Sequence, residues 1–178
     1  MLRELLDYDP QTGILTWKSR DTSMFRDGMQ TASHRAARWN SRLAGKEAFT
    51  ASNSYGYRVG RIFNMGYLAS RVIWAIHYGV WPVAGTDHIN GKRDDNRIEN
   101  LRDATQAQNM QNTAIPVTNT SGVMGVCWHA QRSKWAARIR ANGKMKHLGL
   151  FANFDDAVAC RKSAEAEFGY HANHGRAA

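Results

Sequence analysis

Cysteine, proline and long apolar runs are scarce in this chain of 178 residues. Its two cysteines, Cys127 and Cys160, are too few for a four-cysteine zinc site and fit a reducing compartment. No apolar run approaches the roughly 20 residues needed to cross a bilayer. The opening segment MLRELLDYDP carries acids where a secretion signal has an apolar core. The sequence therefore predicts a cytoplasmic protein with no membrane partner.

Acidic residues are also few relative to basic ones, with 15 Asp and Glu against 24 Lys and Arg and a net charge of +9. A hydrophobic share of 43% is typical of a globular protein and excludes a disordered tail. The charge favours a polyanionic partner, because each phosphate neutralised by Lys or Arg releases counterions. On composition alone, a basic protein without such a partner is the alternative. Residues 123–151 sharpen the first interpretation, since they hold six Lys or Arg and no acid.

Hydrophobic periodicity and turn residues predict short elements in the first part of the chain. The predicted order is a helical turn at Leu2–Leu6, a strand at Ile14–Lys18, a helix or ordered arm at Thr31–Leu43, two strands at Tyr57–Phe63 and Tyr67 around an Asn64-Met65-Gly66 turn, and a helix at Ala69–Tyr78 stopped by Gly79. The arginine-rich Thr31–Leu43 segment either contacts phosphates or is a solvated helix face.

The C-terminal part has the pattern of three strands followed by one helix. The strands are predicted at Gly125–His129, Trp135–Arg140 and Met145–Phe151, and Asn142-Gly143 is a strong hairpin signal. The helix is predicted at Phe154–Phe168, with Asp155 and Asp156 placed favourably in its first turn.

Residues 87–112 are dense in Asp, His and Asn, which are most often turn and capping residues. A long polar loop is therefore one interpretation. Against it, Asp87 and His88 end a predicted strand, and Asn109 and Asn112 are three apart on a predicted helix. A carboxylate and an amide oxygen can bind Mg²⁺, and an imidazole is a base with a near-neutral pKa. These are the groups that hydrolysis of a phosphodiester requires.

This segment resembles the HNH endonucleases of phages and mobile introns. The resemblance rests on Asp87-His88-Ile89-Asn90-Gly91, on residues 95–102 with the sequence DNRIENLR, on Gln108-Asn109 and on Asn112. Upstream, residues 71–74 (RVIW), residues 77–82 (HYGVWP), residues 8–13 (YDPQTG) and Trp17 are also similar to this family. The resemblance implies a ββα-metal finger and a cytoplasmic setting in the host cell if a phage encodes the protein.

Carried over residue by residue, the resemblance implies that His88 is the general base and that Asp87 and Asn109 bind the metal. Asn100 matches the middle position of the motif and would either orient His88 or brace the loop. Asn109 stands where many relatives have His, and a neutral amide oxygen favours Mg²⁺ or Mn²⁺ over Zn²⁺, with one ion per active site. His77, on the apolar helix, is a weaker candidate and is interpreted as structural or phosphate-side.

Residues 121–170 resemble the plant Apetala2/ethylene-response DNA-binding domain. The resemblance rests on SGVMGV at residues 121–126, Trp128, Lys134-Trp135, residues 137–139 (ARI), HLGLF at residues 147–151 and the following helix. It implies a three-stranded antiparallel sheet that packs on one helix and enters the major groove. The expected DNA-binding residues are Arg132, Lys134, Arg138, Arg140, Lys144, Lys146, Trp128 and Trp135. The alternative is that Trp135 and Ile139 are core while the basic residues are only solvated.

The predicted fold class is α+β: a ββα-metal HNH nuclease domain at residues 1–112, a linker at 113–121, the Apetala2-like domain at 122–170 and a tail at 171–178. The predicted function is a metal-dependent endonuclease, site-specific and of the nicking or homing type, that cuts double-stranded DNA as a monomer or homodimer. One alternative is a DNA-binding regulatory protein with a non-catalytic HNH scaffold. Another is an RNA-binding structural protein.

Overall fold

The computed structural model describes residues 1–177 and divides into two compact units, Met1–Asp103 and the chain from Ala104 onward. Both units mix helices with small antiparallel sheets, so the α+β class is confirmed. The predicted end of the first domain at residue 112 lies inside the second unit, nine residues beyond the observed division. Among the described residues, no helix is long and apolar enough to cross a membrane.

The first unit contains two three-stranded sheets, a two-stranded ribbon and three helices. The sheet orders are β1-β2-β3 and β4-β5-β6, and β7 pairs with β8. The elements are α1 (Leu2–Leu5), β1 (Leu6–Asp9), β2 (Ile14–Trp17), α2 (Ala32–Leu43), β3 (Glu47–Ala48), β4 (Ala51–Ser52), β5 (Arg58–Ile62), β6 (Met65–Leu68), α3 (Ala69–Tyr78), β7 (Thr86–His88) and β8 (Leu101–Asp103).

The central helix of this unit is α3, which has the predicted bounds. Val72 and Ile73 are fully buried in one apolar cluster with side chains from α1, the first sheet and β8. The helix ends at Gly79, whose φ of 78° is left-handed and suits glycine. At its start, the Ser70 hydroxyl lies 2.7 Å from that of Thr86. The core helix is therefore tied directly to β7.

The hairpin between β5 and β6 turns one residue earlier than predicted. Phe63 and Asn64 form the two-residue turn, with φ of 48° and 66°, and Met65 and Gly66 already belong to β6. Two positive φ values in succession are typical of the turn that matches strand twist. The predicted Asn64-Met65-Gly66 turn is wrong for this reason.

The second unit contains one short helix, one three-stranded antiparallel sheet of order β9-β10-β11 and one long helix. The elements are α4 (Gln106–Met110), β9 (Val126–His129), β10 (Lys134–Ala141), β11 (Lys144–Phe151) and α5 (Phe154–Glu167). The predicted three strands and following helix are confirmed. Val126, Ala137 and Ala157 form the core between sheet and helix.

The turn between β10 and β11 is Asn142-Gly143, as predicted, with φ of 52° and 76°. Because the loop has two residues, Ala141 pairs with Lys144 and Ile139 with Lys146. An irregularity follows, where Arg138 pairs with His147 but Ala137 pairs with Gly149. Leu148 is the extra residue of a β-bulge, which bends the strand.

The predicted linker and tail are both part of the second unit. Ile115 donates its N–H to the Arg176 carbonyl at 2.9 Å, and Gly175 donates to the Thr113 carbonyl at 2.9 Å. His174 is buried, at 5% exposure. Residues 113–115 and 171–176 therefore form one hydrogen-bonded structure within the second unit. Ala178, the last residue of the predicted tail, lies outside the described residues.

Candidate active site and basic sheet face

The β7–β8 ribbon carries the two residues that open the polar segment. Asp87 pairs with Arg102 across the ribbon, and His88 pairs with Leu101. Both side chains are almost fully buried, with Asp87 7% exposed and His88 3% exposed. At the end of the ribbon, the carboxylate of Asp103 accepts the backbone N–H of Val83 at 2.7 Å. That contact fixes the loop leading into β7, so the site begins on an anchored strand.

The imidazole of His88 is held by an amide. Its Nε2 lies 3.0 Å from Oδ1 of Asn96, and the Tyr57 ring is 5.8 Å away. An amide oxygen can only accept, so in the neutral ring Nε2 carries the proton and Nδ1 is the proton-accepting nitrogen. Burial lowers the pKa of His88, while Asn96 and nearby carboxylates, Asp87 first among them, oppose that shift. The site therefore holds a neutral, oriented imidazole.

The loop after His88 is braced by Asn100, which is 5% exposed. Its side-chain oxygen accepts the Asn90 N–H at 2.9 Å, and its Nδ2 donates to the Asp95 carbonyl at 2.7 Å. Its own carbonyl accepts the Ile89 N–H at 2.9 Å. Of the two roles left open for Asn100, these contacts are those of a loop brace. The amide beside the imidazole ring is Asn96.

A carboxylate–guanidinium pair closes the outer edge of this loop. Arg97 binds Asp95 through Nε at 2.9 Å and Nη2 at 2.8 Å, and Asn90 donates to the same carboxylate at 2.8 Å. The Arg97 hydrogen bond holds the pKa of Asp95 well below its usual range. Asp95 is therefore a permanent anion that is committed to loop structure and does not serve as an acid or base.

Support for Asn96 comes from the first sheet. The Tyr8 hydroxyl donates to the Asn96 carbonyl at 3.0 Å, and burial raises the pKa of Tyr8 to about 12, so it stays a donor. Gly13 lies so close that a Cβ there would meet the Asn96 carbonyl carbon and the Arg97 nitrogen at 2.6 Å each. Its φ of 76° also favours glycine. The sheet thus fixes the backbone that carries the amide facing His88.

Asp87 is paired with a cation. Arg102 donates to its Oδ2 from Nε at 2.9 Å and from Nη2 at 2.7 Å. The Asp87 side chain is 8% exposed and that of Arg102 30% exposed, so water screens this pair only partly. A cation that bound the same carboxylate would have to compete with, or share, this guanidinium.

Asn109 lies on α4 and belongs to the second unit. The helix begins at a capping box, in which the Thr105 hydroxyl accepts the Gln108 N–H at 3.3 Å and Gln108 Oε1 accepts the Thr105 N–H at 2.9 Å. Asn109 is exposed on this helix, whereas Asn112 just beyond it is buried. The structure thus brings Asp87, His88 and Asn100 together in one unit and places Asn109 in the other.

The donor set for a metal is sparse in carboxylates and imidazoles. Within residues 1–177, no group of three or more His, Cys, Asp or Glu side chains is arranged to hold an ion. Asp87 and Asn109 offer hard oxygen atoms, which suit Mg²⁺ or Mn²⁺ and do not make a tetrahedral zinc site. The residues present therefore fit a hard cation whose remaining ligands come from water and substrate.

Register divides the basic residues of the second unit between two faces of its sheet. Residues paired across strands share a face, so Arg138 lies beside His147 and Arg140 beside Met145. Lys144 and Lys146 pair with the buried Ala141 and Ile139 and lie on the opposite face, toward α5. The Lys146 ammonium is 4.6 Å from the centre of the Phe168 ring. The two lysines therefore do not share the face of the arginines.

The two tryptophans lie on the helix side as well. Trp128 pairs with Trp135, their rings meet edge to face at 5.3 Å, and Trp135 packs on Phe154 of α5 at 4.7 Å. Lys134, one residue from Trp135, lies on the outer face, and Arg132 lies in the turn before β10. Arg138 also reaches Cys127 on this face, with Nη2 2.8 Å from Sγ. We call the exposed set Lys134, Arg138 and Arg140 the outer basic face.

Sequence reasoning missed two functional contacts of the first unit. Asn96 and Arg102 were seen as parts of the motif, but neither was assigned to His88 or to Asp87. In a segment with six other Asp and Asn residues nearby, no local signal distinguishes the amide that faces the imidazole. For Arg102 a signal existed, since the partner of Asp87 follows once the ribbon's register is known.

Comparison with known proteins finds similarity to a nuclease family over the polar segment. Residues 67–111 match the sequence model of the HNH endonuclease family. The chain is also similar to Protein 3.8 of Escherichia phage T7, with 34% identity over 80 residues, which is 40% of this chain and 66% of that protein. The match thus covers just under two thirds of that relative's length. No solved structure matches the chain. The family match ends at residue 111, before the sheet of the second unit begins.

Proposed function

We propose that this chain is a metal-dependent endonuclease that hydrolyses phosphodiester bonds of duplex DNA, because residues 67–111 match the sequence model of the HNH endonuclease family. It acts as a site-specific enzyme of the nicking or homing type. The observation that carries the proposal is the buried imidazole of His88, which is oriented by Asn96 and is adjacent in sequence to Asp87. A protein that only binds DNA has no need of an oriented base beside a buried carboxylate.

In this proposal His88 is the general base. Its lowered pKa keeps the ring neutral near pH 7, and Asn96 directs the accepting lone pair to Nδ1. His88 takes a proton from a water molecule. At the same time the water oxygen forms a bond to phosphorus, in line with the departing 3′ oxygen. The P–O3′ bond breaks, and solvent protonates the 3′ oxygen. The products carry a 5′-phosphate and a 3′-hydroxyl, as the family resemblance implies.

Asp87 and Asn109 would hold one Mg²⁺ or Mn²⁺ ion per active site. When bound, such an ion stabilises the negative charge that develops on the phosphate oxygens. Asn100 keeps the loop between Asp87 and Asn109 in shape through its contacts to Asn90 and Asp95.

The pairing of Asp87 with Arg102 leads us to expect weak metal binding by the free protein. One carboxylate and one neutral amide supply little charge, and the guanidinium already neutralises the carboxylate. Isothermal titration calorimetry with Mg²⁺ should show little heat without DNA. Tight binding to the free protein would contradict this ligand set.

The second unit anchors the enzyme on DNA through the outer basic face, with Arg132 beside it. Its three-stranded sheet and single helix agree with the Apetala2-like resemblance, in which the sheet enters the major groove. Lys144, Lys146, Trp128 and Trp135 lie on the helix side, so we assign them to packing and to the edge of the interface. This assignment narrows the eight residues expected from the sequence.

A DNA-binding regulatory protein with a non-catalytic HNH scaffold is the second candidate function. The exposed arginines of β10 favour it as much as they favour a nuclease, because they do not bear on chemistry. An RNA-binding structural protein would bind without metal and would not prefer duplex DNA. The candidates differ in one respect that can be measured, namely whether the protein cuts.

The test is conversion of supercoiled plasmid by the full chain, with Mg²⁺ or with EDTA, for the wild type, His88→Ala and His77→Ala. His77 is an exposed histidine of the same unit and serves as the matched control. General base catalysis contributes about 10²- to 10⁴-fold, so His88→Ala should lose about that factor while keeping its DNA affinity. A monomer should yield open circles, and rapid linearisation would indicate a dimer. Metal-independent cutting, or equal cutting by His88→Ala, would refute the mechanism.

A further inference from the structure

Helix α2 of the first unit presents a row of arginines to solvent. Arg35, Arg38 and Arg42 are all exposed, and their spacing of three, four and seven residues puts them on one face of the helix. We call this set the α2 arginine face. The helix contains no Asp or Glu. Among the ion pairs of residues 1–177, none includes these arginines.

Such a row is unfavourable for an isolated helix. Like charges three or four residues apart repel each other and lower helix stability. Surface helices commonly offset basic residues with acids at the same spacing, and α2 has none to do so. The repulsion is relieved when an anionic partner neutralises the row.

The helix is held rigidly despite that repulsion. At its start the Thr31 hydroxyl accepts the His34 N–H, and Asp27 accepts the Ala32 N–H at 2.7 Å. Toward its end, Asn40 exchanges two hydrogen bonds with the backbone of Arg20, at 2.8 Å and 3.0 Å.

Aromatic packing fixes the side of the helix next to the α2 arginine face. The Trp39 ring meets Trp17 of β2 edge to face at 5.6 Å, and the Arg20 guanidinium lies 3.9 Å from the centre of the Trp39 ring. The exposed arginines are therefore carried on a fixed support, which limits the entropy lost when they bind.

The same unit contains the candidate base. β3 follows α2 directly, and its residues Glu47 and Ala48 line one cavity together with Asp94 and Asn96 of the active-site loop. Asn96 is the amide that faces His88. A duplex bound at the candidate site would therefore also lie near the sheet that supports α2.

We propose that the α2 arginine face is a second DNA-binding surface, which contacts backbone phosphates of the duplex being cut. This inference rests on the proposed function for the identity of the partner. Arg35 to Arg42 span about 10 Å along the helix axis, and each strand of B-DNA carries about one phosphate charge per 3.4 Å of the duplex axis. Three guanidinium groups over that length match a phosphate backbone in charge and spacing, with no contact to bases required.

The test is the salt dependence of binding to a short DNA duplex, measured by fluorescence anisotropy with the full chain. Each lost phosphate contact reduces the slope of log affinity against log salt by about 0.9. We expect Arg38→Ala with Arg42→Ala to reduce the slope by about 2 and to weaken binding several-fold at about 100 mM salt. Arg38→Lys with Arg42→Lys should retain most of the slope, because phosphate contact needs charge and not the planar guanidinium.

Arg42→Ala alone should reduce the slope by about 0.9. Its matched control is Arg61→Ala, which removes one exposed arginine of the same unit from β5 and should leave the slope unchanged. Circular dichroism melts establish that the variants remain folded. Unchanged slope and affinity in the double alanine variant would overturn the inference, as would an equal loss in Arg61→Ala. Cleavage is measured separately. A wild type that binds DNA but never cuts it would refute the proposed nuclease. The salt slopes of the α2 variants would still decide whether the α2 arginine face binds DNA.

Discussion

In β7 the two polar side chains of the candidate site are 7% and 3% exposed, whereas in β10 Arg138 and Arg140 are both exposed to solvent. Asp87 and His88 are each held by a named partner, Arg102 and Asn96. Of the two arginines of β10, Arg138 donates a hydrogen bond to the soft sulfur of Cys127. A reacting group must be desolvated and oriented before substrate arrives, because its pKa and direction decide the rate. A phosphate-binding group works from water, since its effect is long-range attraction.

The sharpest way to break this comparison is to remove the amide that faces His88. Asn96→Ala should lower the cleavage rate roughly 10- to 100-fold, because the buried imidazole loses a hydrogen bond and its preferred orientation. DNA affinity should stay at the wild-type value. The measurement is single-turnover cleavage at saturating DNA.

Asn96→Asp sharpens the same point. It keeps an acceptor beside Nε2 and adds a negative charge, so it should raise the pKa of His88 and move the acid limb of the pH–rate profile upward. If Asn96→Ala cleaves as fast as the wild type, the contact between Asn96 and His88 is structural only. The claim that burial and orientation of His88 decide the cleavage rate would then fail.

On the second unit, the expected effect is on binding and not on rate. Arg138→Ala with Arg140→Ala should weaken DNA binding about 10-fold and reduce the salt slope by about 2, while the rate at saturating DNA stays unchanged. Lys146→Ala is the matched control, because Lys146 lies on the helix side against Phe168. An equal loss in Lys146→Ala would mean that the sheet does not use its outer basic face, and the assignment of faces to function would fail.

The smallest predicted effect concerns pH. The base is active when neutral, and burial lowers the pKa of His88, so protonation should remove activity only below the ordinary histidine value of about 6.5. The rate should therefore rise with pH to a plateau already reached near neutrality. His77→Ala should leave the profile unchanged. A midpoint above about 6.5 would indicate an imidazole stabilised in its charged form, contrary to the buried geometry.

Much of the secondary structure follows from local sequence, for reasons visible at particular residues. α3 has the predicted bounds because a regular apolar stripe ends at a glycine with left-handed φ. The β5–β6 turn was misplaced because Gly66 signals a turn, whereas the structure uses Phe63 and Asn64 at positive φ. Propensity cannot foresee a phenylalanine in that conformation.

The faces of the C-terminal sheet could have been predicted further than they were. A two-residue Asn142-Gly143 turn fixes the pairing of the residues that flank it, which sets Lys144 and Lys146 opposite buried side chains. Their charge and their shared strand face predict that the two lysines bind DNA with the arginines, whereas the register places them on the other face of the sheet.

In the candidate site, the motif spacing predicts which residues to consider. The role of each residue depends on the contacts that it makes in the folded chain. Asn100 and Asn96 are both buried amides of one loop, and only the folded chain distinguishes the loop brace from the partner of His88. The hydrogen bonds of Arg176 to Asn112 span 64 residues, so no local pattern reveals that the C-terminal segment is fixed.

That C-terminal pairing bears on how such genes can exchange parts. Residues 113–115 bond to residues 175–176, and Gln111 bonds to Phe168 and His171. A recombination joint inside residues 113–121 would separate α4 from the segment that fastens it. A new DNA-binding module would therefore have to supply its own hydrogen bonds to the segment that follows α4. Otherwise the recombination joint would have to lie before Ala104. Shuffling between such proteins should favour joints that keep residues 104–176 as one inheritable block.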